Sequence, residues 1–392
     1  MQTTVTEHSA EKVREQVIQW RRYLHQHPEL SFQEEKTSDF VYDTLHSFGN
    51  LLVTRPTKTS VMARLIGSQP GKCIALRADM DALPIQEENT FSYASQNPGV
   101  MHACGHDGHT AMLLGTAKVL SEMKDQIKGE IRFFFQHAEE LFPGGASEMV
   151  AAGVMDGVDV VLGAHVLSTL EIGKIGITYG PMLAAPDVFK ITVIGKGGHA
   201  AHPHQVPDSV AIAAQLVTNL QHIVSRNVDP LDSAVLSVTQ LISGTTHNVI
   251  PGTAYLCGTV RTFTPELREK IPQRIEQIVK GITEAHEATY EFTYEKGYAA
   301  LINDEKITKT IEASIIEIFG ESAVEYFKPC MGGEDFSAYM EKAPGSYITL
   351  GAGNAAKGIT NPHHHPRFDF DEAALDNGLK ILLHSTLSLM NQ

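Results

Sequence analysis

The sequence is short of cysteine, of basic residues and of long apolar runs, and each shortage excludes a class of protein. Only 4 cysteines occur among 392 residues, which argues against a disulfide-stabilised secreted framework. Lys and Arg number 31 against 46 Asp and Glu, and the resulting formal charge of −15 repels nucleic-acid phosphates. No apolar run reaches the about 18 residues of a membrane span, and the first residues do not resemble a signal peptide. We therefore expect a cytoplasmic protein that binds neither nucleic acid nor membranes.

What the chain does have is enough apolar residues for large cores and an unusual supply of histidine. Hydrophobic residues make up 42% of the sequence, and its length favours two domains. There are 19 histidines, and most of them cluster in five short stretches. These stretches are 102–109, 137, 165, 199–204 and 363–365. The clustering indicates a functional site.

The pattern of helices and strands predicts two domains, one inserted into the other. Residues 1–182 and 297–392 alternate apolar strands with helices, which is typical of a parallel sheet covered on both faces. In the first of these parts, the segment 31–34 (SFQE) matches a capping box that opens a helix. Residues 183–296 instead follow the order β-α-β-β-α-β, which predicts an inserted ferredoxin-like α+β domain.

Polar residues stand where the apolar strands of the α/β part end. In a parallel sheet the carboxyl ends of strands line one crevice, so these residues are expected to meet there. Cysteine, histidine and carboxylates together form a ligand set for divalent metals. A buried cysteine beside surface histidines is the simpler reading of one such segment, but the recurrence at successive strand ends favours a metal site. The segments are RADMD (77–81), HACGHDGH (102–109), HAEE (137–140) and His165.

Two further features admit both a functional and an ordinary interpretation. Glu139 and Glu140 are adjacent carboxylates at a strand end, where one could bind metal and the other act as a general base. A solvated acidic strand end would look the same. His199 and its neighbouring histidines follow a glycine-rich turn that lacks the spacing of a phosphate loop, and a solvated loop is the alternative there.

Eight motifs in order along the chain resemble the two-metal aminoacylase/carboxypeptidase family of peptidases, in particular its amidohydrolase subgroup. That subgroup contains hippurate hydrolases and indoleacetyl-amino-acid hydrolases. The resemblance implies a two-metal catalytic α/β domain with an inserted lid and dimerisation domain. The motifs are WRRYLHQHPELSFQE (20–34), LRADMDALP (76–84), MHACGHDGH (101–109), FFFQHAEE (133–140), GKGGHAAHPH (195–204), THNVIPGTAYLCGTVRTF (246–263), GGEDFS (332–337) and HHHPRFDFDE (363–372).

The resemblance also implies a role for individual residues. The ligands of two divalent ions are expected to be Cys104, His106, Glu140, His165 and His364, with Cys104 bridging the pair. His364 is chosen because the family places this ligand two residues before a proline, and His363 and His365 remain alternatives.

Beside the ligands, the resemblance makes Glu139 the general base and Asp81 a supporting residue behind the ligands. His199 is expected to reach the active site of a partner subunit and help stabilise an oxyanion. Asn248 and Arg261 are expected to face the carboxylate of the substrate.

The expected function is metal-dependent hydrolysis of small N-acyl L-amino acids, such as N-acetyl or N-benzoyl derivatives, by a homodimer formed through the lid. A dipeptidase or carboxypeptidase with the same site is the alternative enzyme. A catalytically silent metal-binding protein would not need a base such as Glu139, and the motifs of zinc nucleobase deaminases are absent. The resemblance favours manganese, then zinc, and the ligand set also admits cobalt or nickel.

Overall fold

The computed structural model describes residues 2–392, with side chains from His8 onward. The chain forms two compact units. The first contains the residues through Met182, Ile302–Lys328 and Asp335–Gln392, and the second contains Leu183–Leu301 and Pro329–Glu334. The sequence analysis instead placed the end of the inserted domain at residue 296 and assigned all later residues to the first unit.

The later boundary has a physical reason in the hydrogen bonds around Asp187. The backbone N–H of Gly297 donates to Asp187 Oδ1 at 2.9 Å, and Arg268 Nη2 donates to the carbonyl of Gly297 at 2.7 Å. The backbone N–H of Ala184 donates to the carbonyl of Gly332 at 2.9 Å. Contacts that are distant in sequence therefore hold 297–301 and 329–334 in the second unit.

The strands are short except in the two main sheets. In chain order they are β1 (Leu52–Thr54), β2 (Val61–Ile66), β3 (Gln69–Asp79), β4 (Lys128–Gln136), β5 (Val160–Glu171), β6 (Ile175–Ile177), β7 (Gly180–Leu183), β8 (Ala185–Ile194), β9 (Gly198–His199), β10 (Ala234–Ser243), β11 (Val249–Ile250), β12 (Thr253–Thr262), β13 (Thr289–Lys296), β14 (Leu301–Asn303), β15 (Val324–Tyr326) and β16 (Gly345–Gly353).

The α-helices carry most of the residues that cover these sheets. They are α1 (Gln2–Gln26), α2 (Glu35–Ser47), α3 (His106–Glu122), α4 (Gly145–Ala151), α5 (Ser209–Asn227), α6 (Pro265–Ala285), α7 (Glu305–Phe319), α8 (Ser337–Met340) and α9 (Ala373–Met390). Among the described residues, no helix is long and apolar enough to cross a membrane.

The first unit is built on an eight-stranded sheet in the order β1-β2-β4-β3-β5-β16-β6-β15. Strand β3 runs parallel to β4 and β5, and β16 runs parallel to β5. Strand β2, however, is antiparallel to β4, and β6 is antiparallel to β16. The prediction of a wholly parallel sheet is therefore wrong. The chain passes from β2 to β3 through two residues, which reverses its direction, whereas parallel neighbours need a long crossover.

The predicted capping box does not form, and α2 begins at Glu35, after the four residues of the box rather than within them. Ser31 Oγ donates to Asp81 Oδ2 at 2.7 Å, and the side chain of Glu34 makes no capping hydrogen bond to the helix. The carboxylate of Glu29 takes over the capping and accepts the backbone N–H of Thr37 at 2.8 Å. The two box residues are therefore free to contact distant parts of the first unit.

The second unit has the predicted β-α-β-β-α-β order. Its sheet runs β10-β12-β8-β13, every neighbouring pair is antiparallel, and α5 and α6 supply the helical cover. Alternate residues of β8 point into the core because side chains alternate along a strand. This core contains Phe189, Ile191 and Val193 from β8, with Leu216 of α5 and Ile275 of α6.

Candidate metal centre

Cys104 and His106 are presented by the loop that leads into α3. Gly105 stands between them with a φ of 91°, a left-handed conformation that glycine adopts without a steric penalty. A Cβ atom on Gly105 would lie 2.3 Å from a methyl carbon of Val166, so the close approach of this loop to β5 also requires glycine. The approach brings Cys104 Sγ to 3.5 Å from Nε2 of His165.

Both histidines beside Cys104 direct Nε2 into the site because Nδ1 is already engaged. His165 Nδ1 donates to the carbonyl of Val166 at 2.6 Å. His106 Nδ1 lies 2.9 Å from the carbonyl oxygen of Asp81 and 3.2 Å from its Oδ1. Nε2 of His106 is buried without a hydrogen-bond partner among the described residues. A buried, unsatisfied nitrogen beside a thiol is the arrangement that a metal ion would satisfy.

The pKa values of the site residues also indicate a place for a cation. Burial, together with Glu140 and Glu139, holds the pKa of the Cys104 thiol well above its usual value. Burial lowers the pKa of His106, but Asp79 and Asp81 outweigh it and raise this pKa to about 10. The acidic groups thus hold protons on neighbouring donors, and a divalent cation could replace those protons.

Glu139 and Glu140 follow β4 on a loop with unusual backbone geometry. Ala138 has a φ of 48°, which is rare for a residue other than glycine. Glu140 Oε1 lies 3.1 Å from Nε2 of His364, and the backbone N–H of Glu140 donates to Asp81 Oδ2 at 3.0 Å. The predicted supporting residue, Asp81, therefore contacts both His106 and Glu140.

The structure brings together all five residues that were predicted as ligands. Cys104, His106 and His165 form one group, and Cys104, Glu140 and His364 form another, with the ligand atoms of each group within 4.8 Å of one another. Cys104 belongs to both groups. Glu139 joins His106 and Glu140 in a third group of the same size. Sulfur, nitrogen and oxygen donors in two groups that share one thiol fit a pair of first-row divalent ions.

The three consecutive histidines are distinguished by their contacts. His364 alone of the three has a ring nitrogen within ion-pair distance of Glu140. His363 Nε2 lies 2.9 Å from the carbonyl oxygen of Val166, and His365 Nδ1 accepts the backbone N–H of Arg367 at 3.0 Å. The geometry therefore favours His364 among the three candidates.

Sequence reasoning missed a buried ionic cluster behind this site. Arg77 donates from Nη1 to Asp79 at 2.7 Å and from Nη2 to Asp335 at 2.9 Å. Asp335 also accepts Nε2 of Gln136 at 2.7 and 2.8 Å. The available signal was the presence of charged residues without an assigned role in the motifs LRADMDALP and GGEDFS.

In the second unit, the structure places His199 beside Asn248. Strands β9 and β11 pair His199 with Val249, and the backbone N–H of Ala200 donates to the carbonyl of Asn248 at 3.1 Å. The side chain of His199 is exposed, and its Nδ1 accepts the backbone N–H of Ala201 at 3.1 Å. His199 and Asn248, both predicted as site residues, therefore lie side by side where β9 and β11 pair.

Arg261 lies far from His199 and Asn248 along the sheet of the second unit. Strand β12 begins at Thr253, next to the β9–β11 hairpin, and Thr253 pairs with Ile194. Near the other end of β12, Arg261 pairs with Pro186. The eight residue-to-residue steps from Thr253 to Arg261 span roughly 27 Å at about 3.4 Å each. The half-buried guanidinium of Arg261 has a pKa lowered by burial.

Comparison with known proteins gives concordant results. The family model described as peptidase family M20/M25/M40 matches residues 75–387. An N-acyl-L-amino acid amidohydrolase of Geobacillus stearothermophilus is 71% identical over 293 residues, which are 75% of this chain and 79% of that protein. Thermostable carboxypeptidase 1 of Saccharolobus solfataricus is 41% identical over 383 residues, 96% of each chain. The crystal structure of the Bacillus subtilis protein YXEP, a dinuclear metal binding peptidase, has a TM-score of 0.85 at 35% identity, covering 97% of this chain and 99% of that one.

Proposed function

The chain belongs to the peptidase family M20/M25/M40 and is a hydrolase of that family, and we propose that it cleaves N-acyl L-amino acids to a carboxylic acid and a free amino acid. N-acetyl and N-benzoyl derivatives are the first substrates to consider. The observation that carries the proposal is that the carboxylate of Glu139 groups with two of the five potential metal ligands, His106 and Glu140. A metal site alone would not need that additional carboxylate.

In this proposal Cys104, His106, Glu140, His165 and His364 would hold two divalent ions, and Cys104 is the residue that the two ligand groups share. Manganese is the first candidate, followed by zinc, and cobalt or nickel also suits the donors. When bound, such ions polarise an amide carbonyl and make a water molecule more acidic. Asp81 orients His106 through Nδ1 and so keeps Nε2 directed into the site.

Glu139 is the proposed general base. Its carboxylate lies in the same group as the ligand atoms of His106 and Glu140, at the edge where β4 ends. In the reaction Glu139 accepts a proton from the attacking water and delivers it to the leaving amine. A positioned general base contributes about 10²- to 10⁴-fold to such a step.

We propose that His199 serves the active site of a partner subunit, and that Asn248 and Arg261, contributed by different subunits, bind the substrate carboxylate. The separation of roughly 27 Å along β12 supports this division, because one small substrate cannot bridge it within one chain. Exposed apolar residues beside His199 support docking of a second copy. Val249 is 50% exposed and Ile242 is 63% exposed, and both line a groove with Pro251 and Tyr255.

A dipeptidase or carboxypeptidase reaction is the second candidate, because a relative with 41% identity is named a carboxypeptidase. The two reactions differ in the group on the acyl side of the scissile bond.

Four free cysteines, Cys104 among them, support the expected location in the reducing cytoplasm.

The test is a substrate panel crossed with metals. The apoprotein is reconstituted with manganese, zinc, cobalt or nickel and assayed on N-acetyl and N-benzoyl amino acids, on dipeptides, and on the matching N-acyl amino acid amides. The proposal expects the N-acyl acids to have the highest kcat/KM. Preference for dipeptides would favour the alternative reaction.

The amide substrates test the carboxylate site, and Glu139→Gln tests the base. Loss of one partner of a buried charge pair costs roughly 2–5 kcal/mol, so the amide should be a far poorer substrate than the acid. Arg261→Ala should largely erase that preference. Glu139→Gln should abolish turnover while both metals stay bound. Equal kcat/KM for acid and amide in the parent would remove the assignment to N-acyl amino acids.

A further inference from the structure

The backbone on both sides of Glu139 is held by buried carboxylates. The N–H of Ala138 donates to Glu34 Oε1 at 2.8 Å, and the N–H of Glu140 donates to Asp81 Oδ2 at 3.0 Å. Glu34 is 0% exposed and Asp81 is 1% exposed. Hydrogen bonds from N–H groups to charged acceptors are stronger than those between neutral groups. Glu139 is therefore fixed at its two neighbours in the chain.

Glu34 comes from a distant segment of the first unit and is itself held in place. Its Oε1 also accepts the N–H of Phe32 at 3.0 Å, and its Oε2 accepts Thr59 Oγ1 at 3.1 Å. Burial, reinforced by Asp81, raises the pKa of Glu34 to about 7. The hydrogen bonds of this carboxylate come from backbone N–H groups and a hydroxyl group, so they do not amount to an ion pair.

Ala138, whose N–H donates to Glu34, has a backbone conformation that neighbouring contacts must stabilise. Ala138 has a φ of 48°, in the left-handed region where a Cβ atom crowds the backbone. Its carbonyl accepts the N–H of Gly145 at 2.9 Å, while its N–H is the group that Glu34 accepts. The backbone angles of Ala138 set the direction of the next residue, Glu139. Strained backbone of this kind persists only where surrounding contacts maintain it.

We propose that Glu34 is a positioning residue, whose carboxylate keeps Ala138 in its left-handed conformation and thereby aims the carboxylate of Glu139 at the reacting water. The inference rests on the proposed role of Glu139 as the base. It gives a function to the segment HPELSFQE (27–34), to which the proposed reaction assigns none. Ser31 of the same segment acts similarly on the other side, because it donates to Asp81 at 2.7 Å.

Two substitutions separate the reach of the Glu34 side chain from its charge. Glu34→Gln keeps the length and one oxygen acceptor, whereas Glu34→Asp keeps the charge but withdraws it from Ala138 by one methylene group. A displacement of about 1 Å near the reacting atoms can cost about 10²-fold. We expect Glu34→Asp to lower kcat by about 10- to 100-fold with KM within about twofold and both metals bound. Glu34→Gln should keep most of the parental kcat.

Glu29→Leu is the matched control, because Glu29 lies in the same segment and caps α2 without touching the loop of Glu139. It should lower the melting temperature and leave kcat unchanged. Parental kcat in Glu34→Asp would overturn the proposal, as would loss of metal from that variant or an equal fall of kcat in Glu29→Leu. Turnover by Glu139→Gln would instead overturn the role of Glu139, so the two failures can be told apart.

Discussion

His109 donates from Nδ1 to Asp79 Oδ1 at 2.6 Å, and its Nε2 accepts the backbone N–H of Val166 at 2.9 Å. Both ring nitrogens are therefore used within the protein. This excludes His109 as a ligand in the observed geometry, although its motif contains two other proposed ligands, Cys104 and His106. His109 instead links α3 to the end of β3 and to the middle of β5.

Metal content should therefore differ between substitutions at His106 and at His109. His106→Gln should lose metal on dialysis, because it removes a proposed ligand whose Nε2 is buried and unsatisfied. His109→Gln should retain two ions at saturating metal, with affinity lowered by at most about 10- to 100-fold, as is usual for residues that support ligands. Elemental analysis of both variants checks this, and equal losses would contradict it.

Activity should be recovered by mixing two inactive variants if His199 acts in a partner subunit. A dimer of one His199→Ala chain and one Glu139→Gln chain has one site with both residues intact. Statistical exchange in a two-fold dimer then restores about a quarter of the parental sites. The measurement is activity after subunit exchange, with exchange followed by mass spectrometry. Complete exchange without recovery would show that the site does not use His199 from a partner.

The stability of the first unit should depend on Arg21 far more than on its neighbour Arg22. The side chains of Arg21 and Asp107 are both 0% exposed and lie 2.9 Å apart, whereas Arg22 is 46% exposed in its pair with Glu372. Arg21→Met leaves Asp107 without its main counter-charge and should cost about 3–5 kcal/mol. Arg22→Met should cost less than about 1 kcal/mol. Urea unfolding of the two variants compares them, and similar midpoints would be contrary to this expectation.

His25 should make the stability of the metal-free protein depend on pH. Burial lowers the pKa of His25, but Asp107 and Glu87 outweigh it, so the folded pKa lies above 6.5. The folded state then binds the proton more tightly than the unfolded state. The resulting stabilisation is complete below pH 6.5 and is lost as the pH rises through the folded pKa. Unfolding free energies measured against pH should show this fall in the parent and not in His25→Gln.

The sequence was sufficient for features that local patterns determine. The order β-α-β-β-α-β follows from alternating apolar residues in β8 and β12 and from the stripe in α6, and the structure has that order. Of the residues expected at the metal centre, Glu140 follows the end of β4 as predicted, and it comes together with Cys104 from the loop before α3. Such features depend only on the spacing of apolar residues and on the positions of polar residues relative to the strands.

Other features depended on partners distant in the chain. Ser31 and Glu34 fit a capping box by spacing, yet Asp81 and Ala138 compete for them from 50 and 104 residues away. The apolar pattern of β2 is the same for either direction, and the strand that pairs with it, β4, comes later in the chain than β3. Neither kind of distant contact can be recognised from a short stretch of sequence.

Strand β10 forms one edge of the second sheet, and the exposed side chains of Leu241 and Ile242 lie on it. Open backbone groups and apolar side chains on an edge favour pairing with another strand. The formal charge of −15 opposes the approach of a second copy, but ions screen such repulsion beyond about 8 Å at physiological ionic strength. Moderate salt should therefore promote self-association through this edge, and Ile242→Lys should suppress both that association and aggregation during refolding.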